Sequence, residues 1–138
     1  MADPVVLDAG PLVAFINRGD QYHEWACGWV RHLNCKLLTC DAVVSETFFL
    51  VQHNPVGITT LLSYLDEGIV LLDFNLGAHL SSVTALMRNY RDIPMALADA
   101  CLVRMSELQP GARIFNLDSD FQRYRRHGRQ ILPLIHPA

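Results

Sequence analysis

Short apolar runs alternate along the chain with longer segments in which apolar residues recur every three or four positions. The short runs have the length and composition of buried strands, and they predict strands at 4–10, 35–40, 69–74, 113–118 and 130–135. The longer segments have helical periodicity and predict helices at 23–33, 42–52, 55–68, 76–90, 94–108 and, as a short piece, 121–128. With a further helix after the first strand, the order is roughly βααβααβααβαβ.

Residues that start or stop helices support these boundaries. Asp41 is expected to cap the helix that follows it, and Asp73 is expected to belong to a turn that caps helix 76–90. Pro55 and Pro94 each open a helical pattern, and Gly68 closes the one that Pro55 opens.

Strands that alternate with helices predict an α/β fold with a mainly parallel sheet, covered by helices on both faces. The chain contains no Asn-Gly pair between apolar runs, so no hairpin is expected. No repeat, low-complexity segment or linker is visible, and residues 1–138 are expected to form a single domain. Sheets of this kind place ligands at the carboxyl ends of their strands, near a topological switch point.

Composition narrows the class of protein. A hydrophobic content of 51% with 18% charged residues is typical of a folded chain with a substantial core. No apolar run approaches the ~20 residues of a membrane span, and the N-terminus does not resemble a signal peptide, so a cytoplasmic location is expected. The cysteines form no Cys-x-x-Cys pair and are expected to be reduced, and the histidines lack the spacing of a zinc site.

The net charge of −3 argues against a general nucleic-acid binder, but the positive charge is unevenly distributed. Lys36 is the only lysine, and four arginines cluster near the C-terminus: Arg123, Arg125, Arg126 and Arg129. Two interpretations are open, a solvated face or a set of phosphate contacts, for which the planar guanidinium is well suited.

Several carboxylates occupy positions where this architecture places functional groups. Asp8 follows the first predicted strand, and Asp118 and Asp120 follow the fourth. Each one alone is explained equally well as a turn residue or a helix N-cap. Glu46 and Asp99 differ, because each lies within a predicted helix and has apolar neighbours three and four positions away.

A buried carboxylate is normally paired with a cation, protonated or bound to a metal. A buried arginine is one explanation for each helical acid, but Arg104 and Lys36 are too few to neutralise the whole set. Hard oxygen ligands suit Mg²⁺ or Mn²⁺, and such ions support phosphodiester hydrolysis. The acids are therefore expected to hold one or two of these ions.

Five segments together resemble PIN-domain ribonucleases of the type that includes the virulence-associated VapC toxins of bacteria. They are "VVLDAGPLVAFIN", "DQYHEWA", "VVSETFFL", "YRDIPMALADACLV" and "IFNLDSDF", in the order and at the spacing usual for that family. The resemblance implies a three-layer α/β/α sandwich that is often dimeric. It implies that Asp8, Glu46, Asp99 and Asp118, with Asp120 as an auxiliary, form a Mg²⁺ or Mn²⁺ site that cuts RNA. A toxin of this class also implies an antitoxin partner.

Two positions near these acids matter for the comparison. Gly10, in "DAGPL", fits a common variant of the first motif, and its backbone N–H is expected to meet a phosphate. Asn116 departs from the family, which often has Thr or Ser two residues before the fourth acid. An asparagine still hydrogen-bonds a carboxylate or water, so the site is expected to survive with altered water positioning.

Other functions remain open beside the ribonuclease. The alternative is a PIN scaffold that binds RNA or a protein but no longer cuts. A receiver domain would need paired N-terminal acids and a late lysine, which this chain lacks, and no glycine motif of a nucleotide-binding enzyme is present. Phe48, Phe49 and Leu50 suit a dimer interface, although core packing is the expected use.

Overall fold

A five-stranded parallel sheet forms the middle of the protein in a computed structural model that describes residues 2–137. The described residues contain seven strands: β1 (Val5–Leu7), β2 (Leu37–Thr39), β3 (Val70–Leu72), β4 (Arg113–Phe115), β5 (Arg125–Arg126), β6 (Gln130–Ile131) and β7 (Leu134–Ile135). All except β5 and β6 belong to this sheet. The sheet order is β3-β2-β1-β4-β7, so β1 is central and Val6 pairs with Leu38 on one side and Ile114 on the other.

Six α-helices connect and cover these strands within the described residues. They are α1 (Ala9–Ile16), α2 (His23–His32), α3 (Asp41–Leu50), α4 (Pro55–Asp66), α5 (Leu80–Asn89) and α6 (Leu97–Leu108). Helix α4 begins as predicted, because Asn54 caps it and Pro55 occupies its first turn, where a missing N–H costs nothing. Gly68 follows its end at φ +71°.

Alternate side chains of each strand face two separate apolar cores. Val6 and Ile114 pack with α5 and α6 on one face, whereas Val5 and Phe115 pack with α1, α2 and α4 on the other. Each face of the parallel sheet therefore buries an apolar surface under helices. The predicted three-layer α/β/α sandwich is confirmed.

Several predicted boundaries are wrong in detail. Asp41 is the first residue of α3 rather than its cap, and Cys40 occupies the cap position. Asp73 does not cap the helix after β3; instead the side chain of Asn75 accepts the Ala78 N–H at 3.3 Å, in a short 3-10 turn before α5. The strands span three residues or fewer, because the flanking apolar residues lie in the turns that enter and leave the sheet.

The largest departure concerns residues 119–135. The predicted helix 121–128 is a short 3-10 turn (Ser119–Gln122) followed by an antiparallel hairpin of β5 and β6. His127 and Gly128 have φ of +52° and +78°, the signs required at the two central residues of a type I′ turn. The predicted strand 130–135 is split, because β6 belongs to this hairpin and only β7 joins the main sheet.

No helix within residues 2–137 is both long and apolar enough to cross a lipid bilayer.

Two glycine substitutions with opposite expected effects test this local geometry. Gly68→Ala places a Cβ on a residue at φ +71° and should destabilise the protein by roughly 1–2 kcal/mol. Gly28→Ala should stabilise it by about 0.5–1 kcal/mol, because Gly28 lies within α2 and a Cβ there would meet no atom closer than 3.9 Å. Urea unfolding measures both, and equal effects of the two variants would contradict the assignment.

Candidate active site

The site lies at the carboxyl edge of the sheet, between β1 and β4. The chain leaves β1 towards β2 on one side and later returns to β4 on the other, so these neighbouring strands form a topological switch point. Asp8 follows β1 directly and Asn116 follows β4 directly. Asp8 and Asn116 therefore lie at the crevice where open parallel sheets bind ligands.

Asp8 is the most strongly perturbed acid of the site. It is buried and caps α1, with its Oδ1 accepting the Ala9 N–H at 2.8 Å. Burial, the largest cause, and the negative charges of Asp99, Glu46 and Asp118 together raise the pKa of its carboxyl to about 7, against the opposing hydrogen bond from the Ala9 N–H. The surroundings of Asp8 therefore bring the pKa of its carboxyl close to neutral pH.

Asp99 occupies the first turn of α6 and is half-buried. Its Oδ2 accepts the Ala96 N–H at 3.0 Å, which is one half of a capping box, since Ala96 has no side-chain acceptor to complete it. Burial raises the pKa of the Asp99 carboxyl, and the charges of Asp118 and Glu46 add to that effect. The prediction that Asp99 is partly buried on α6 is correct, but the helix begins at Leu97 rather than 94, so the apolar neighbours expected before Asp99 lie outside it.

Asp118 and Asp120 belong to the turn after β4. Asp118 is exposed, and its Oδ1 accepts the Asp120 N–H at 2.9 Å. Its backbone carbonyl accepts the Nδ2–H of Asn116 at 2.8 Å. The charge of Asp120 acts on Tyr124 rather than on Asp8, so its place is at the margin of the group.

The surroundings of Glu46 differ from those that helical spacing predicted. It lies in the middle of α3 and is exposed, as are Phe49 and Leu50, so the expected apolar surroundings are absent. Its negative charge nevertheless raises the pKa of both Asp8 and Asp99. The four acids therefore come from four different segments and act on one another.

No cation in the described part of the chain neutralises this group. Arg104 donates to Glu107 at 3.1 Å and to His79 at 3.3 Å, and Lys36 lies before β2, at the amino edge of the sheet. The ion pairs formed by residues 2–137 both involve Glu107. The helix N-termini of α1 and α6 supply the main compensation, through their N–H groups and dipoles.

Two observations bear on whether a metal ion fits here. Within residues 2–137, no three Cys, His, Asp or Glu side chains stand at ligand spacing around one point. Asn116, however, is 1% exposed, and its Oδ1 is buried without a hydrogen-bond donor. An orphaned buried acceptor beside like-charged carboxylates is an arrangement that a hydrated Mg²⁺ or Mn²⁺ would satisfy.

The structure separates the predicted phosphate contacts into two kinds. Arg125 donates to the carbonyls of Gln122 and Tyr124, at 2.7 and 3.0 Å. Arg126 donates to two carbonyls at the C-terminal end of α6, opposite the end that carries Asp99. Arg123 and Arg129 are exposed. The clustered sequence "RYRRHGR" thus contains one arginine that stabilises its own turn, one that anchors the segment to the end of α6, and two that are exposed.

Gly10 permits a close approach between α1 and the turn after β4. A Cβ at this position would lie 3.2–3.3 Å from side-chain carbons of Leu117, the residue between Asn116 and Asp118. A larger residue would therefore push these two segments apart. The glycine keeps the first turn of α1, with its free N–H groups, against the acidic site.

Sequence reasoning missed Tyr124. The residue is fully buried, and its hydroxyl reaches Oδ2 of Asp99 at 3.5 Å. It lies between Arg123 and Arg125 in the sequence, in a segment whose pattern predicted a short basic helix. The available signal was the apolar spacing of Phe121 and Tyr124, three residues apart.

Replacing Asp8 by Asn should stabilise the metal-free protein at pH 8. The folded-state pKa of about 7 lies above the ordinary value of 3.8, so the contribution of Asp8 to stability is fully present below pH 4 and is lost as the pH rises through 7. Asn keeps the cap on α1 and removes the charge, which should contribute on the order of 2–4 kcal/mol at pH 8.

Urea unfolding in EDTA from pH 4 to 8 measures this effect. The advantage of the Asp8→Asn variant should shrink as the pH falls through this range. An Asp73→Asn control, at an exposed acid that does not act on Asp8, should follow the wild type. A variant that parallels the wild type at every pH would contradict the assigned environment of Asp8.

Comparison with known proteins identifies the fold. No protein-family model matches the sequence, and no curated protein matches it significantly. The structure is similar to that of Mycobacterium tuberculosis VapC20, described as a sarcin-ricin-loop-cleaving toxin, with a TM-score of 0.77 and 14% sequence identity. The match covers 86% of this chain and 93% of VapC20. The chain therefore has a PIN-like α/β fold, that of a VapC toxin, as the sequence segments predict.

Proposed function

We propose that this protein is a metal-dependent endoribonuclease that hydrolyses RNA phosphodiester bonds. The observation that carries the proposal is the buried Asp8, whose pKa is raised to about 7 by burial and by three further carboxylates. Such a group destabilises the fold, so its presence at the ligand-binding edge of the sheet favours a functional role over a structural one. The PIN-like fold supports the same conclusion.

The carboxylates are proposed as the metal ligands. Asp8, Glu46, Asp99 and Asp118, with Asp120 as an auxiliary, would hold one or two Mg²⁺ or Mn²⁺ ions directly or through water. When bound, the ion supplies an activated water and offsets the charge that develops on the phosphorus oxygens.

The other residues of the site orient its parts. The Ala9 and Ala96 N–H groups hold the carboxylates of Asp8 and Asp99 in fixed directions. Asn116 Oδ1 is buried without a donor and is left to accept a hydrogen bond from a bound water, while its Nδ2 fixes the turn that carries Asp118. The N–H groups at the start of α1, next to Gly10, face the same edge and suit a phosphate oxygen.

The RNA is proposed to extend from the site along α6 towards the β5–β6 hairpin, which is attached to the C-terminal end of that helix. The acidic pocket and the net charge of −3 repel a polyanion, so exposed cations outside the pocket are needed. Arg123 and Arg129 are exposed and free for phosphates, whereas Arg126 attaches the hairpin to the end of α6 and Arg125 binds carbonyls of its own turn. Because VapC20 is described as cleaving the sarcin-ricin loop, an RNA that contains this loop is the first substrate to test.

Two protein partners are proposed with this activity. Phe49, Leu50 and Val56 are 67%, 52% and 74% exposed, so the expectation that the first two pack in the core is wrong. Phe48 is half-buried against the core on the α1 side of the sheet. This apolar surface at the end of α3 and the start of α4 suits a homodimer. A toxin role would add an antitoxin, and a cytoplasmic location would place the enzyme with its RNA.

A second candidate function is a PIN scaffold that binds RNA or a protein without cutting. The observation that favours it is the lack, within residues 2–137, of three potential ligands at metal-binding spacing. The two candidates differ in metal binding, because a scaffold without activity has no need to hold the ion.

Asp99→Asn and Asp8→Asn should each lower RNA cleavage on the order of 100-fold or more, because each removes a proposed metal ligand. The measurement is cleavage of a labelled sarcin-ricin-loop RNA and of unstructured RNA, in Mn²⁺ and in EDTA. Asp73→Asn, an exposed acid after β3, is the matched control and should cut like the wild type.

Calorimetric titration with Mn²⁺ separates the two candidate functions. Saturable heat in the wild type that is lost in Asp99→Asn supports the nuclease. Cleavage retained by both purified variants, Asp99→Asn and Asp8→Asn, would contradict the nuclease proposal. RNA binding by a wild type that shows neither cleavage nor heat of Mn²⁺ binding would support the scaffold.

Arg123→Ala combined with Arg129→Ala should weaken RNA binding without unfolding the protein. Each lost phosphate contact should reduce the slope of log K against log salt concentration by about one. Arg18→Ala with Arg31→Ala removes the same charge from exposed positions after α1 and at the end of α2. Filter binding at 50–300 mM salt measures both, and identical slopes for the two double variants would refute specific contacts.

A further inference from the structure

Tyr124 places a phenol behind the acidic site. The side chain is fully buried, although it lies between two arginines in the sequence. Its hydroxyl donates to the Pro94 carbonyl and lies 3.5 Å from Oδ2 of Asp99. A single hydroxyl therefore connects the segment before α6 with the carboxylate in the first turn of that helix.

The ring of Tyr124 is held firmly by its neighbours. Phe121 and Tyr90 meet it edge-to-face, with ring centroids 5.3 and 5.2 Å away. The Tyr90 hydroxyl in turn accepts the Arg125 N–H at 2.9 Å, which attaches the start of the β5–β6 hairpin to this aromatic cluster. Packing of this kind leaves the phenol few alternative positions, so its hydroxyl acts as a fixed donor.

The contacts of Asp99 are divided unequally between its two oxygens. The Ala96 N–H and the Tyr124 hydroxyl both approach Oδ2. Within the described residues, Oδ1 has no hydrogen-bond partner of its own. Because the single proton of the hydroxyl goes to the Pro94 carbonyl, the Ala96 N–H is the donor that fixes Oδ2, and the other oxygen is left for a ligand.

We propose that Tyr124 is a positioning residue for Asp99. Its hydroxyl holds the Pro94 carbonyl and thereby fixes the segment whose Ala96 N–H binds Oδ2, so that Oδ1 is left for the site shared with Asp8 and Asp118. The part of this proposal that concerns metal binding rests on the proposed nuclease function. The part that concerns the carboxylate's orientation applies to the metal-free protein as well.

The experiment compares Tyr124→Phe with Tyr90→Phe in the full-length chain. Each variant removes one hydroxyl from the same aromatic cluster, but only Tyr124 reaches Asp99. The first readout is the hydrogen-exchange rate of the Ala96 amide in EDTA, measured by NMR. The second is the Kd for Mn²⁺ by calorimetry, and thermal unfolding reports whether the two variants lose similar stability.

Tyr124→Phe should speed Ala96 exchange at least fivefold and raise the Mn²⁺ Kd about tenfold, the usual effect of removing an outer-shell hydrogen bond. Tyr90→Phe should stay within twofold of the wild type in both. Unchanged Ala96 exchange in Tyr124→Phe, or equal changes in the two variants, would overturn the proposal. Faster Ala96 exchange in Tyr124→Phe, together with a wild type that binds no Mn²⁺, would contradict the nuclease function and leave the positioning role standing.

Discussion

Carboxylates at the carboxyl edge of the sheet repel one another, and the rest of the structure has to hold them together against this repulsion. Asp8 is buried beside the charges of Asp99, Glu46 and Asp118, and the described residues place no cation among them. Like charges in a poorly hydrated crevice are costly, and the cost appears as the raised pKa of Asp8. A parallel sheet with two helix N-termini at that edge is a framework that tolerates such a cluster.

Rigid surroundings keep the acids together against that repulsion. Val6 and Leu7 lie in the central strand, whose hydrogen bonds to both neighbours fix the position of Asp8. Gly10 allows α1 to approach the turn that carries Asp118. Tyr124, which directly precedes the β5–β6 hairpin, places its hydroxyl 3.5 Å from Oδ2 of Asp99. The site is therefore built from distant segments, each held by packing rather than by contacts among the acids themselves.

The way the β5–β6 hairpin is attached explains why the arginines near the C-terminus have different roles. The hairpin is short and would be marginal by itself, so part of its charge is used to attach it to the protein. Arg126 binds carbonyls at the end of α6 and Arg125 binds carbonyls of its own turn. Only the remaining arginines have side chains free for a polyanion. Anchoring and binding are thus divided among neighbouring residues of one charged run.

Local sequence patterns predicted the sandwich and the strand-end acids, because apolar runs, helical periodicity and prolines act over a few residues. They placed Asp8, Asp99 and Asp118 near one edge of the sheet. They misjudged Glu46, since spacing along a helix identifies a face but not whether another segment covers it. They also missed the hairpin, because His127 adopts a positive φ that its sequence signals weakly.

What the sequence by itself determined is therefore the order of the elements, the two-sided apolar core and the identity of the acids. The tertiary structure alone decided which charges act on Asp8, which arginines are free, and that Tyr124 stands behind Asp99. The physical reason is range. Helix and strand signals are local, whereas burial, pKa and hydrogen-bond partners depend on residues that can be more than a hundred positions apart, such as Asp8 and Asp118, which only the folded chain brings together.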